Sequence, residues 1–117
     1  MLKNFILFIA VLQASKPSDF DQKLWCNICQ AISRELSLIL RDHKSESYID
    51  DAMSNLCQPN RFRVYEFPPP QMFQACQIFV MEHNDEIFES FHNRENNQQV
   101  ETELCFQTTQ ACLDEEL

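Results

Sequence analysis

The placement of six cysteines constrains what this 117-residue chain can fold into more than any other feature. Cys26 and Cys29 form C-x2-C near the front, and Cys105 and Cys112 form C-x6-C near the end. Cys57 and Cys76 stand singly between them. Six cysteines admit fifteen pairings. The layout reads almost the same from either end, and that symmetry favours the nested set Cys26–Cys112, Cys29–Cys105 and Cys57–Cys76. In the chain-entropy view, a Cys26–Cys112 bridge contributes about 4 to 5 kcal/mol and a Cys57–Cys76 bridge about 3 kcal/mol. Nested bridges do not add, because each shortens the loop that the others close.

The N-terminus agrees with such crosslinking. Lys3 precedes the apolar run Phe5-Ile6-Leu7-Phe8-Ile9-Ala10-Val11-Leu12, and Gln13-Ala14-Ser15 follows. This is the layout of a secretory signal peptide over residues 1–14, cleaved after Ala14. The run is short for a membrane span, although an uncleaved N-terminal anchor is the alternative, and no other stretch approaches the ~20 apolar residues a span needs. Routing to the secretory pathway permits disulfides. Residues 15–113 then form one domain, with a core modest enough for crosslinks to matter.

With 9 basic and 18 acidic residues the chain has a net charge of -9, and losing Lys3 makes it one unit more negative. That balance argues against nucleic acid and against attraction to anionic lipid. It suits a dissolved protein or one with a basic partner. There is no glycine, which excludes phosphate-cradling loops and dinucleotide fingerprints. No other cofactor motif stands out. Lack of glycine also removes the usual helix C-cap and hairpin turn residue, leaving helices with Asn and Pro at the turns.

Four helices are expected. Ser18-Asp19-Phe20-Asp21 reads as a capping box, opening a helix to about Arg41 with Trp25, Ile28, Cys29, Ile32, Leu36, Ile39 and Leu40 at helical spacing. Ser47-Tyr48-Ile49-Asp50 reads as a second box, before a shorter helix with Ile49, Ala52, Met53, Leu56 and Cys57 on one face, stopped by Pro59. Residues 58–70 read as extended, with Pro70 at the first position of the next helix. Phe62, Val64, Tyr65 and Phe67 in that connector either fold back on the helices or form an exposed patch for a partner. The third helix is the longest and aligns Met72, Cys76, Phe79, Val80, His83, Ile87 and Phe91. Asn96-Asn97 marks a turn, and the last helix carries Val100, Leu104, Cys105, Thr108, Ala111 and Cys112. The fold class is therefore all-α, a bundle with a cysteine on the apolar face of each helix. Cys26 and Cys29 rise by about 4.5 Å along a helix and Cys105 and Cys112 by about 10.5 Å. Nesting thus requires either that the helices cross at an angle or that Cys112 lies past a helix end.

At this point the chain resembles a known superfamily. The cysteine order and spacing are similar to the saposin fold, a leaf of four to five amphipathic helices held by three nested disulfides. Within it, Leu24-Trp25-Cys26-Asn27-Ile28-Cys29-Gln30-Ala31 with Glu35-Leu36 resembles the C-x-x-C-R-A-L-x-x-E-L opening of the canopy family, saposin-like proteins of the endoplasmic reticulum. Cys76 followed by Asp85-Glu86-Ile87-Phe88-Glu89-Ser90-Phe91 resembles that family's second half, and the six residues between Cys105 and Cys112 fit it better than most lipid-binding saposins. The segments Cys29–Cys57 and Cys57–Cys76 are shorter than the family usually has. The resemblance implies a saposin B-type domain over residues 15–113 and a non-enzymatic adaptor or co-chaperone beside luminal chaperones and secretory clients. Asp114, Glu115, Glu116 and Leu117 resemble a KDEL-type retention signal, with an acid in place of the usual basic or His first residue. The superfamily's other mode, binding lipid or membranes after secretion, is the alternative function.

Other chemistries are less well supported. Trp25-Cys26-x-x-Cys29 is similar to a thioredoxin active site, but a polar stretch precedes it and no βαβ pattern follows. His43, His83 and His92 lack the i, i+4 spacing of a helix-borne metal site. No Ser, His or Asp is marked as part of a hydrolytic constellation.

Overall fold

The computed structural model describes residues 22–113. The signal peptide expected at 1–14, the Ser18–Asp21 capping box and the tail Asp114–Leu117 lie outside the described residues. Four α-helices follow one another: α1 (Gln22–Leu40), α2 (Glu46–Ser54), α3 (Pro69–His92) and α4 (Asn97–Thr102). A 3-10 turn occupies Pro59–Phe62, and a π-helical turn at Glu103–Thr108 continues α4. Among the described residues there is no strand, and no helix is long and apolar enough to cross a membrane.

α1 is the pole of the bundle. It buries the expected Trp25, Ile28, Cys29, Ile32, Leu36 and Leu40, and also Leu24, Cys26, Ala31 and Ser33. This exceeds a single stripe because α2, α3 and α4 all contact α1. The buried Ser33 hydroxyl is satisfied within the helix, donating to the Cys29 carbonyl at 3.0 Å. α1 stops at Leu40, and the next residue, Arg41, adopts φ 52°. Glycine normally takes this left-handed turn-off position; in a chain without glycine, Arg41 does.

The cap of α2 differs from the expectation. Ser45, not Ser47, precedes the helix, and its Oγ accepts from the Tyr48 backbone N–H at 3.3 Å. Ser47 lies inside the first turn, where its side chain cannot reach the leading N–H groups. α2 ends at Ser54, so Cys57 stands beyond the helix rather than on its face. The connector is not fully extended either. Pro59 opens a 3-10 turn at a position where its missing N–H is no loss. Phe62 is fully buried, Tyr65 and Phe67 pack partly against the core, and Val64 faces outward at 87% exposure. The stretch thus mostly folds back on the helices, and of these four side chains Val64 alone is strongly exposed.

α3 begins at Pro69, one residue before Pro70. It buries Met72, Cys76, Phe79, Ile87 and Phe91 as expected, with Val80 and Phe88 at the flank. The backbone leaves helical geometry at His83 (φ -118°, ψ 29°). There the imidazole stacks obliquely near Phe79, 4.8 Å between ring centroids, and Trp25, 6.4 Å, while Nδ1 meets the Glu86 carboxylate. α4 is capped by Asn96, whose Oδ1 accepts from the Gln99 N–H at 3.1 Å, and its π-helical continuation buries both Leu104 and Cys105. The chain then turns out through Gln110 (φ 55°).

Cys112 lies past the helix end, with its N–H on the Cys105 carbonyl at 2.9 Å. This resolves the mismatch in rise between the two close cysteine pairs. The bridges are Cys26–Cys112, Cys29–Cys105 and Cys57–Cys76, with Cα–Cα separations of 4.5, 5.7 and 5.6 Å. They are nested, and the outer two staple α1 to the C-terminal segment. Gln22 adds to that seam by donating its side-chain amide to the Ala111 carbonyl at 2.6 Å. The fold class is an all-α, saposin-like bundle held by three disulfides.

Candidate functional site

Most large apolar side chains of the described residues are buried, including Phe62, Phe79 and Phe91, which have no exposed surface. The strongly exposed ones are Leu38, Tyr48, Val64, Met81 and Leu113. Leu38 and Val64, 69% and 87% exposed, line one surface groove of about 470 Å³ together with Tyr65. The remaining described apolar exposures are not part of that groove. This makes it the candidate site.

Three elements build it. The second half of α1 contributes Ser33, Arg34, Glu35, Ser37 and Leu38; the connector contributes Val64 and Tyr65; α4 contributes Asn97, Gln98 and Glu101. Leu38 reaches solvent because it is out of phase with Leu36 and Leu40, which turn to the core. Val64 does so because Phe62, two residues earlier, anchors the connector inward.

The polar groups of the groove are already arranged. Arg34 donates from Nε and Nη2 to the two Glu101 carboxylate oxygens, both at 3.1 Å, joining α1 to α4. That paired hydrogen bond raises the Arg34 pKa despite partial burial. Tyr65 donates its hydroxyl to Glu35 Oε2 at 2.8 Å. Burial first, and then this bond to a carboxylate, push the Tyr65 phenol well above its ordinary value. Tyr65 therefore stays protonated and fixes the orientation of Glu35.

A second concavity, of about 290 Å³, lies between the end of α3 and the π-helical turn, lined by Glu89, Asn93, Glu95, Gln99 and Glu103 among others. It is polar and presents no large apolar side chain except the buried Val100. Its lining includes Arg94, only 6% exposed. Its guanidinium donates to the carbonyls of Phe91 at 2.5 Å, Arg41 at 2.8 Å and His43 at 3.0 Å, and to Asn97 Oδ1 at 2.6 Å. Burial lowers its pKa. Arg94 thus ties the loop after α1 to the last turn of α3 and to the start of α4, and its task is structural.

The cysteines of the C-x-x-C stretch are bonded to separate distant cysteines, not to each other. All six are bridged, so in this state neither Cys26 nor Cys29 offers the thiolate that exchange chemistry requires. The histidines are dispersed. His43 stacks on Tyr48 with 4.0 Å between centroids, His83 lies at the break in α3, and His92 Nδ1 donates to the Lys44 carbonyl at 3.0 Å. Among the described residues no three His, Cys, Asp or Glu side chains are gathered as metal ligands.

The sequence offers an exposed patch of Phe62, Val64, Tyr65 and Phe67 as one of two options, but it does not point to the meeting of Val64 and Tyr65 with Leu38, Arg34 and Glu101. One signal was available: Leu38 falls outside the apolar register of α1.

Fold and groove define a class: a small all-α, disulfide-nested bundle whose described residues form an apolar surface groove. The three bridges are those of a chain that matures in the secretory pathway, where disulfides persist. Beyond that class, the chain matches no family model, no curated protein and no solved structure.

Proposed function

We propose that this chain is a non-enzymatic adaptor or co-chaperone of the endoplasmic reticulum lumen, related to the canopy branch of saposin-like proteins, assisting the folding or assembly of secretory clients. One observation carries the reading. The apolar faces of the helices are packed against one another under three crosslinks, and among the described residues Leu38, Val64 and Tyr65 leave an apolar groove at the surface. A surface of that kind suits contact with a protein partner. Sheltering an acyl chain would instead require parting faces that hold fully buried Phe79, Phe91 and Ile32. The net charge of -9 supports the same choice, since attachment to anionic membranes favours a basic face. The Asp114–Leu117 tail supports residence in the lumen by its likeness to a retention signal.

The test combines localisation with partner chemistry. Cells expressing the full chain should retain it in the lumen, and deletion of Glu116 and Leu117 should release it to the medium. Crosslinking in intact luminal membranes should join the retained protein to newly made secretory chains. Binding to phosphatidylserine vesicles together with extraction of their lipid, and no crosslinked client, would replace this reading with the lipid-binding one.

A further inference from the structure

We propose that the groove formed by Leu38, Val64 and Tyr65 receives an extended segment of a client polypeptide in which a cationic side chain lies beside aliphatic ones. The inference rests on the adaptor reading and names the chemistry of the partner.

The apolar half of the argument is the pairing of Leu38 with Val64. Two strongly exposed aliphatic side chains share one concavity, and its volume lies in the range of pockets that enclose small ligands or a few side chains. Covering them calls for aliphatic groups on the partner.

The electrostatic half fixes the sign. Of the three ionised groups that line the groove, Arg34 and Glu101 neutralise each other through two hydrogen bonds. Glu35 remains. Among the described residues its carboxylate accepts from the Tyr65 hydroxyl and forms no ion pair. The groove therefore carries one uncompensated negative charge, on a chain already at -9. A lysine or arginine of the partner reaching Glu35 gains a charge-assisted hydrogen bond, while an acidic segment is repelled. A second copy of this chain fits poorly, because a symmetric contact through this patch would bring the two Glu35 carboxylates to one interface. Tyr65 acts as a positioning residue: its protonated hydroxyl holds Oε2 and leaves Oε1 for the partner.

The probe is a fluorescein-labelled decapeptide of alternating leucine and lysine, with glutamate replacing lysine in the control. Anisotropy titration with the oxidised, signal-cleaved chain should show binding of the lysine peptide that weakens with added salt, and no comparable binding of the control. The paired substitution Leu38→Ser and Val64→Ser, both on exposed side chains, should weaken binding about tenfold or more. Glu35→Gln should weaken it about threefold or more and flatten the salt dependence. Equal affinity for the two peptides overturns the proposal, as does unchanged binding by the Leu38/Val64 variant. So does a dimer in sedimentation that this variant dissolves. Failure of the adaptor reading shows differently: the peptide binds at the groove, yet no luminal client crosslinks to the retained protein.

Discussion

Arg94 joins four acceptors on three segments, the carbonyls of Arg41, His43 and Phe91 and the side chain of Asn97, while its guanidinium lies 5.4 Å from the Phe91 ring centroid. Helix ends leave carbonyls that need partners, and glycine-based caps are absent from this chain. Arg94→Met keeps much of the stem but strands these carbonyls, and should lower unfolding free energy by about 3 kcal/mol in urea titrations. Tyr65 supplies a second test at this scale. Its phenol holds its proton more tightly when folded than an ordinary tyrosine does. Stability from that source is complete below the unfolded value of about 10 and declines as pH rises from there toward the folded value, because the unfolded chain releases its proton first. Urea titrations between about pH 9 and about pH 11 should therefore show a steeper loss for the unaltered protein than for Tyr65→Phe.

At the scale of elements, the helices owe their positions to caps and phase. Ser45→Ala should destabilise by about 1 kcal/mol, measured by urea unfolding, while Ser47→Ala should change little. The reverse ranking would restore the capping box suggested by Ser47 and Asp50. The ends of α4 illustrate how local signals and global demands divide. Asn96 is a good N-cap by its chemistry, and it does cap α4. The π-helical turn at Glu103–Thr108 has no comparable local signature. It delivers Cys105 to Cys29 and releases the chain so that Cys112 can return to Cys26. The break in α3 at His83 is similar, since Met72 through Phe91 reads as one uninterrupted apolar stripe.

For the molecule as a whole, the nested bridges are coupled. While Cys29–Cys105 is intact, Cys26–Cys112 closes only a small ring of about ten residues, worth about 3 kcal/mol in chain entropy. Removing either outer bridge by paired Cys→Ser substitution should thus cost about 3 kcal/mol, and removing both about 7, more than the sum of the single effects. The double removal is comparable with the whole stability of a small domain, and circular dichroism should show it largely unfolded. Peptide mapping without reduction checks the pairing itself: a Cys26–Cys29 link would break the nested architecture.

The repeat of apolar residues along each helix, the mirror order of the cysteines and the lack of glycine were enough to determine an all-α crosslinked bundle, because helical phase and chain-entropy arguments depend on spacing along the chain. The carbonyl hub at Arg94, the turn that frees Cys112, and the meeting of Leu38, Val64 and Glu35 in one groove were decided only in three dimensions. Each depends on distances between residues far apart in sequence, and on which flank of a helix its neighbours leave uncovered, quantities that no local pattern encodes.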